Sequence, residues 1–187
     1  EDLVRAMRIA KDLGLTSRMQ IVAPNLTQSI VEQAGPGLME GVVGTEPWTW
    51  RVPELENSAP GKAFVKAYSE RYAMYPSSSA ASAYSIVQQW ADAAKRAGSL
   101  DSEALIKALE GHSYALLKDR QQWRSFDHQN IQTVYAVKVK PRAEVLKDPL
   151  KQDYFEIVER LDGGTGLPDL ATWQTERRNA GQPLALQ

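Results

Sequence analysis

Few residue sets in this chain could do bond chemistry. The two histidines, His112 and His128, both fall in predicted loops. His112 follows the helix-ending Gly111, and His128 lies in the turn DHQN. A general base needs a partner within hydrogen-bond reach. No spacing supplies one here, so both read as solvated loop residues. Two carboxylate pairs, Asp101 with Glu103 and Asp148 with Asp153, could serve as acid and base. Both pairs read instead as acids near helix starts, where they meet the positive end of the macrodipole. The run GGTG at 163–166 invites a phosphate-loop reading. It lacks a following Lys-Ser or Lys-Thr and leads into Pro168, so it reads as plain loop. No GxSxG, GxGxxG, Walker, HExxH or EF-hand pattern occurs. The chain has no cysteine, which excludes disulfides and thiolate metal sites. The expectation is a protein that is not an enzyme, with no metal and no cofactor.

A second set suits recognition. The stretch YPSSSAASAYSIVQQW spans 75–90. Ser78 or Ser79 can cap a helix there. The free N–H groups of its first turn would favour an anionic group. Ala80, Ala81 and Ala83 keep that surface low, and Tyr84 follows. Trp48 and Trp50 sit in PWTWRVPELENSAPG, a stretch of three prolines and two tryptophans. Aromatic side chains with a few polar groups are the usual lining of small-molecule pockets. Asn25 follows a predicted strand, where α/β folds place ligands.

The elements that must carry these residues can be read from periodicity. Leu3, Ala6, Met7, Ala10 and Leu13 share one face of a helix over 2–13, with Gly14 as its stop. MQIVA (19–23) reads as a short buried strand. Asn25 with Gln28 has the spacing of a capping box and opens a helix ended by Gly35. EGVVGTE (40–46) reads as the next strand. Helix and strand alternate with short connectors, an α/β rhythm that implies parallel strands. Residues 47–58 read as a linker or crossover without a helix.

Ser58 caps the next helix, with Pro60 in its first turn. Phe64, Tyr68 and Tyr72 give it an aromatic stripe that reads as core. A helix from about Ala80 carries the stripe Ala80, Ala83, Val87, Trp90, Ala94 and Ala97, closed by Gly98. Asp101 caps a further helix that stops at Gly111. Beyond it YALL, QQWRSF and IQTVYAVKVKP read as strands, with Trp123 and Phe126 as core. DYFEIVERL reads as a helix, DGGTGLPD as loop, and the polar end as loosely packed.

With 22 basic and 23 acidic residues the net charge is −1, so no basic surplus points to nucleic acid. No apolar run approaches the ~20 residues that cross a bilayer. The chain opens without Met inside a helical pattern, and the expectation is that a preceding segment is missing.

Taken in order, the motifs resemble a known family. They are the helix end DLGL (12–15), the strand into AP (23–24), AGPGLMEGVVG (34–44), F-x3-Y-x3-Y before a proline, and the small-residue run into Tyr84. AGS-x-D at 97–101, ALxG at 108–111, and a strand-turn-strand around Phe126-Asp127 follow. Over about 1–140 the chain resembles the C-terminal half of a type I periplasmic solute-binding protein. Its class is the branched-chain amino-acid (Leu/Ile/Val-binding) one that feeds ABC transporters. That resemblance implies an α/β fold of parallel-sheet lobes with flanking helices, in which solute is caught between two lobes by hinge closure.

It places 1–46 in the second lobe, 47–58 in a crossover or hinge, and 59–111 in the first lobe. Residues 112–140 then return as second-lobe strands, and 141–187 form a C-terminal return and tail. It implies an extracytoplasmic (periplasmic) protein whose partners are a small-molecule ligand and an ABC permease, with no nucleic acid. The missing N-terminal half of the same protein would be a further partner, and a homodimer of the fragment is a possible substitute.

In amino-acid-binding relatives an acid near Asn25 pairs with the ligand ammonium. A neutral amide stands here, which favours a related carboxylate or aromatic solute as competitor to an amino acid. The ligand-binding set expected on this basis is Asn25, Trp48, Trp50, Ser78, Ser79, Ala80 and Tyr84. The same fold also serves as a ligand-sensing domain of receptors and regulators.

Overall fold

The computed structural model describes residues 2–184 and 186. In chain order the elements of the first half are α1 (Asp2–Asp12), a 3-10 turn (Leu15–Ser17), β1 (Val22–Ala23), α2 (Gln28–Ala34), α3 (Pro36–Met39), β2 (Val43–Glu46), α4 (Val52–Leu55), α5 (Ala59–Tyr72) and α6 (Ser78–Ala97). The second half adds α7 (Ser102–Leu109), β3 (Ser113–Tyr114), β4 (Gln121–Trp123), β5 (Asn130–Ile131), β6 (Val134–Val139), α8 (Arg142–Val145), β7 (Phe155–Leu161) and α9 (Leu170–Asn179).

The main sheet has the order β1-β2-β6-β7. The parallel arrangement implied by the helix–strand rhythm holds for β1 and β2, whose connection passes through α2 and α3. β6 joins β2 antiparallel, and β7 joins β6 antiparallel, so the sheet is mixed. β1 and β2 approach closely because of Gly44. A Cβ there would lie 2.4 Å from the Ala23 carbonyl oxygen and from Leu26 Cβ. Met7, Leu26, Val31, Met39, Val42, Tyr135, Val137, Val139 and Val145 fill the core around this sheet. β3, β4 and β5 form a separate small antiparallel sheet.

Several expectations are corrected. The strand expected over 19–23 is only Val22–Ala23, and that over 40–46 is Val43–Glu46. The cap of α2 is Thr27, whose hydroxyl accepts from Ile30 N at 3.4 Å; Asn25 stands outside in the left-handed region at φ 56°. The cap of α6 is Ser77, accepting from Ala80 N at 3.2 Å, so neither Ser78 nor Ser79 caps it. Residues 47–58 do contain helix, the single turn α4. DYFEIVERL is not a helix: its FEIVERL part is β7, with Phe155 buried and paired to Val139 of β6. Asp148 and Asp153 lie in a loop, not at a helix start. Asp148 accepts from the Leu150 and Gln152 amides, each at 3.1 Å.

The apolar stripe expected of α6 faces outward. Val87 is 62 % and Trp90 50 % exposed, while Ala81, Gln89 and Ala93 are buried. Val87 and Gln89, two residues apart, point about 200° away from each other, so the buried side lies largely opposite Val87. The α5 stripe likewise runs from half-buried Phe64 and Tyr68 to exposed Tyr72. Trp123 and Phe126 are half-buried rather than core.

Other readings hold. Ser58 caps α5 through Gly61 N at 3.0 Å, and Asp101 caps α7 through Ala104 N at 3.1 Å. Gly35 and Gly98 sit at the ends of α2 and α6 with positive φ. The two loop histidines are not free in solvent: His128 Nε2 is 2.8 Å from Glu110 Oε1, and His112 Nε2 is 3.5 Å from Asp92. No helix among the described residues is long and apolar enough to cross a membrane.

Candidate ligand site

Three chain segments meet beside the end of β2. The 47–58 stretch supplies Trp48, whose Nε1 donates to the Leu117 carbonyl at 3.2 Å. Ser58 Oγ donates to the Leu116 carbonyl at 2.8 Å. Lys118 Nζ donates to the Pro47 and Thr133 carbonyls at 2.7 and 2.6 Å. Gly61 lets the segments close up, since a Cβ there would lie 2.6 Å from the Leu117 oxygen. From the third segment, Asp153 accepts from Nε and Nη2 of Arg51, at 3.2 and 2.6 Å, and from Lys140 Nζ at 2.6 Å. Burial alone would raise Asp153, but these two cations hold it below the usual carboxylate range.

Trp48 and Trp50 point their rings into different surroundings. Trp48 is buried and meets Phe64 edge-on at 6.1 Å. Trp50 stacks on Tyr75 at 3.9 Å, with the Arg51 guanidinium 4.3 Å from its ring centre. Tyr75 donates its hydroxyl to Asp148 at 2.8 Å. Burial and that carboxylate push its ionisation up to about 12.

Two cavities share the wall made by Trp48 and Ser78. The larger, about 190 Å³, lies between α6 and the small sheet, with Tyr114, Lys118, Gln121 and Trp123 among its lining. It is larger than the ~150 Å³ cavity that binds benzene in an engineered protein core. The smaller, about 10 Å³, has room for roughly one water-sized group. Gln28, Glu46, Thr49 and Trp50 line it. Glu46 is 2 % exposed, and burial pushes its carboxyl up to about 7, against the opposing influence of the Ser78 hydroxyl and the Gln28 backbone amide. Its Oε2 and the Thr49 hydroxyl have no hydrogen-bond partner. Lys118 is 4 % exposed, and burial lowers its ammonium to about 8, with Asp119 and Glu56 opposing.

Of the residues expected from sequence, Trp48, Trp50 and Ser78 come together here. Asn25 lies on the same edge of the sheet but is exposed, its amide 3.4 Å from Thr45 Oγ1. Ser79, Ala80 and Tyr84 line neither cavity; Tyr84 packs on Phe64 at 4.7 Å. Sequence reasoning missed Glu46 and Lys118. A signal existed for Glu46, a lone acid between an apolar strand and the proline of EPW.

A family model described as periplasmic binding protein matches residues 1–144. The chain belongs to the periplasmic binding protein family. A comparison with curated proteins finds no match. Among solved structures, the chain is similar to a periplasmic binding protein from Burkholderia mallei, with 26% identity and TM-score 0.76 over 91% of this chain and 43% of that one. It is also similar to a branched-chain amino acid ABC transporter periplasmic ligand-binding protein from Burkholderia xenovorans, with 20% identity and TM-score 0.74 over 90% of this chain and 43% of that one. A third similar structure is the ABC transporter solute-binding protein from Rhodopseudomonas palustris in complex with 3,4-dihydroxy benzoic acid, with 21% identity and TM-score 0.65 over 84% of this chain and 41% of that one. The chain thus spans less than half the length of the solved chains it matches.

Proposed function

We propose that this chain forms part of the extracytoplasmic solute-binding component of an ABC transporter, which delivers a small organic solute to a membrane permease. The solute, an amino acid or a related carboxylate or aromatic compound, is held between two lobes. The observation that carries this reading is the wall of Trp48 and Ser78, shared by two cavities beside the end of β2. In open α/β sheets that carboxyl edge is where ligands bind. Residues 1–46 and 112–140 belong to one lobe and 59–111 to the other, with 47–58 as a crossover or hinge between them. Ligand binding stabilises the closed arrangement by its differential affinity for it.

The exposed face of α6, with Ile86, Val87 and Trp90, then packs against the remaining part of the two-lobed protein. Asn25, Ser79, Ala80 and Tyr84 face the cleft only once that part is in place. The test is a thermal-shift screen of the complete two-lobed protein against branched amino acids, aromatic carboxylates and amides. A stabilising solute whose effect is lost in Trp48→Ala supports the reading. A solute whose effect survives in Trp48→Ala, with the variant folded, places the site elsewhere.

A further inference from the structure

The Glu46 carboxyl is an acid without a counter-charge. It is almost fully enclosed, and its Oε2 has no donor. No lysine, arginine or histidine forms an ion pair with it among the described residues. The nearest guanidinium on the cavity wall, Arg51, is already engaged by Asp153 on one side and Trp50 on the other. The same small cavity holds a second buried polar atom without a partner, the Thr49 hydroxyl oxygen. Two buried polar atoms without partners, lining one narrow space, are costly to leave unsatisfied. Trp48 and Trp50 line the same space, and aromatic faces attract a cation.

Size narrows the class. The cavity has room for about one water-sized group, and a primary ammonium is close to that size. A quaternary ammonium is much larger.

We propose, resting on the cleft reading above, that Glu46 and Thr49 anchor a primary ammonium of the solute, and that Glu46 releases a proton when the solute binds. The step balances simply: the Glu46 O–H proton passes to solvent, and the resulting carboxylate pairs with the incoming ammonium. The other ionisable groups around this space are accounted for. Asp153 is held by Arg51 and Lys140, Asp148 by the Tyr75 hydroxyl, and Tyr154 is a neutral phenol. Burial keeps Glu46 neutral over part of the physiological range, up to about 7. Only the ionised form pairs with the ammonium, so affinity rises with pH through that value and then levels. From pH 8 to pH 6 it should fall about tenfold.

The experiment uses the complete protein and three probes that share a phenyl ring but differ in the nitrogen group, benzylamine, benzyltrimethylammonium and benzamide, followed by calorimetry and thermal shift. Benzylamine is expected to bind about tenfold more tightly at pH 8 than at pH 6, with proton release seen as heat that varies with the buffer's ionisation enthalpy. Benzyltrimethylammonium is expected not to bind. Glu46→Gln should lose the benzylamine response and its pH dependence while keeping the parent's circular dichroism spectrum; benzamide, which has no ammonium, should give no pH-dependent response. Benzylamine that fails to bind at pH 8, binds equally at both pH values, or binds Glu46→Gln as tightly as the parent overturns the proposal. Equal binding of the quaternary probe overturns it too. Failure of the cleft reading looks different: Trp48→Ala would then leave every response intact.

Discussion

At the scale of single residues, burial rather than sequence neighbourhood sets the character of the two groups that matter most. Glu46 ends the strand β2 and looks like an ordinary acid in the sequence; packing removes its water. Its ordinary value of 4.5 rises to about 7 in the fold, so the folded state favours the proton. The sign follows. Stability is greatest below 4.5 and declines as pH rises to 7, by about 3 kcal/mol at roughly 1.4 kcal/mol per pH unit. Glu46→Gln should flatten that decline in urea unfolding curves taken across the same window. Lys118 behaves in the opposite sense: its lowered ammonium makes the fold more stable as pH rises from about 8 towards the ordinary 10.5. Lys118→Met should lose that rise, while forfeiting the bonds to the Pro47 and Thr133 carbonyls. Trp48 and Trp50 were legible as pocket candidates because aromatic side chains suit recognition wherever they lie; Ser78 was singled out as a cap, a role that Ser77 takes. Glu46 and Lys118 were not legible, because what distinguishes them is missing water, which only tertiary packing reveals.

At the scale of elements, caps and stops were easier to read than faces. Asp101 and Ser58 act through bonds three residues away, and Gly98 through its own positive φ, so local spacing suffices. The displaced caps, Thr27 for Asn25 and Ser77 for Ser78, are errors of one or two residues in runs with several polar candidates. The α6 face was reversed for a different reason. Its richer apolar side carries Val87 and Trp90, yet the contacts within this chain use Ala81 and Ala93, whose small side chains admit close packing. β7 was misread because Phe155, Ile157 and Leu161 are compatible with either period, and pairing to β6 decides the matter. The junction between elements makes a sharp prediction. Gly61→Ala places a Cβ 2.6 Å from the Leu117 oxygen and 2.8 Å from Pro53 Cβ. It should cost about 1–3 kcal/mol in chemical denaturation, because both neighbours are backbone-anchored.

At the scale of the whole molecule, the described chain holds an α/β core around its main sheet and a helical region with little of its own. The core residues cluster on the main sheet, whereas α6 buries only Ala81, Gln89 and Ala93. The isolated 187-residue chain should therefore self-associate through the α6 face. Sedimentation should show a shift towards monomer on Val87→Lys with Trp90→Lys, with little change in helical signal. The same chain alone should bind solute weakly; nanomolar affinity without the rest of the two-lobed protein would contradict the proposed cleft. The segments of the hinge region meet in an uneven way. Trp48, Ser58 and Lys118 supply side-chain donors, and the receivers are main-chain carbonyls of Pro47, Leu116, Leu117 and Thr133. A carbonyl persists whatever side chain is attached, so mutational tolerance across this junction is lopsided. In a saturation library selected for transport, Ser58 and Lys118 should admit few replacements, while their half-buried receiving positions, Leu116 and Pro47, admit many.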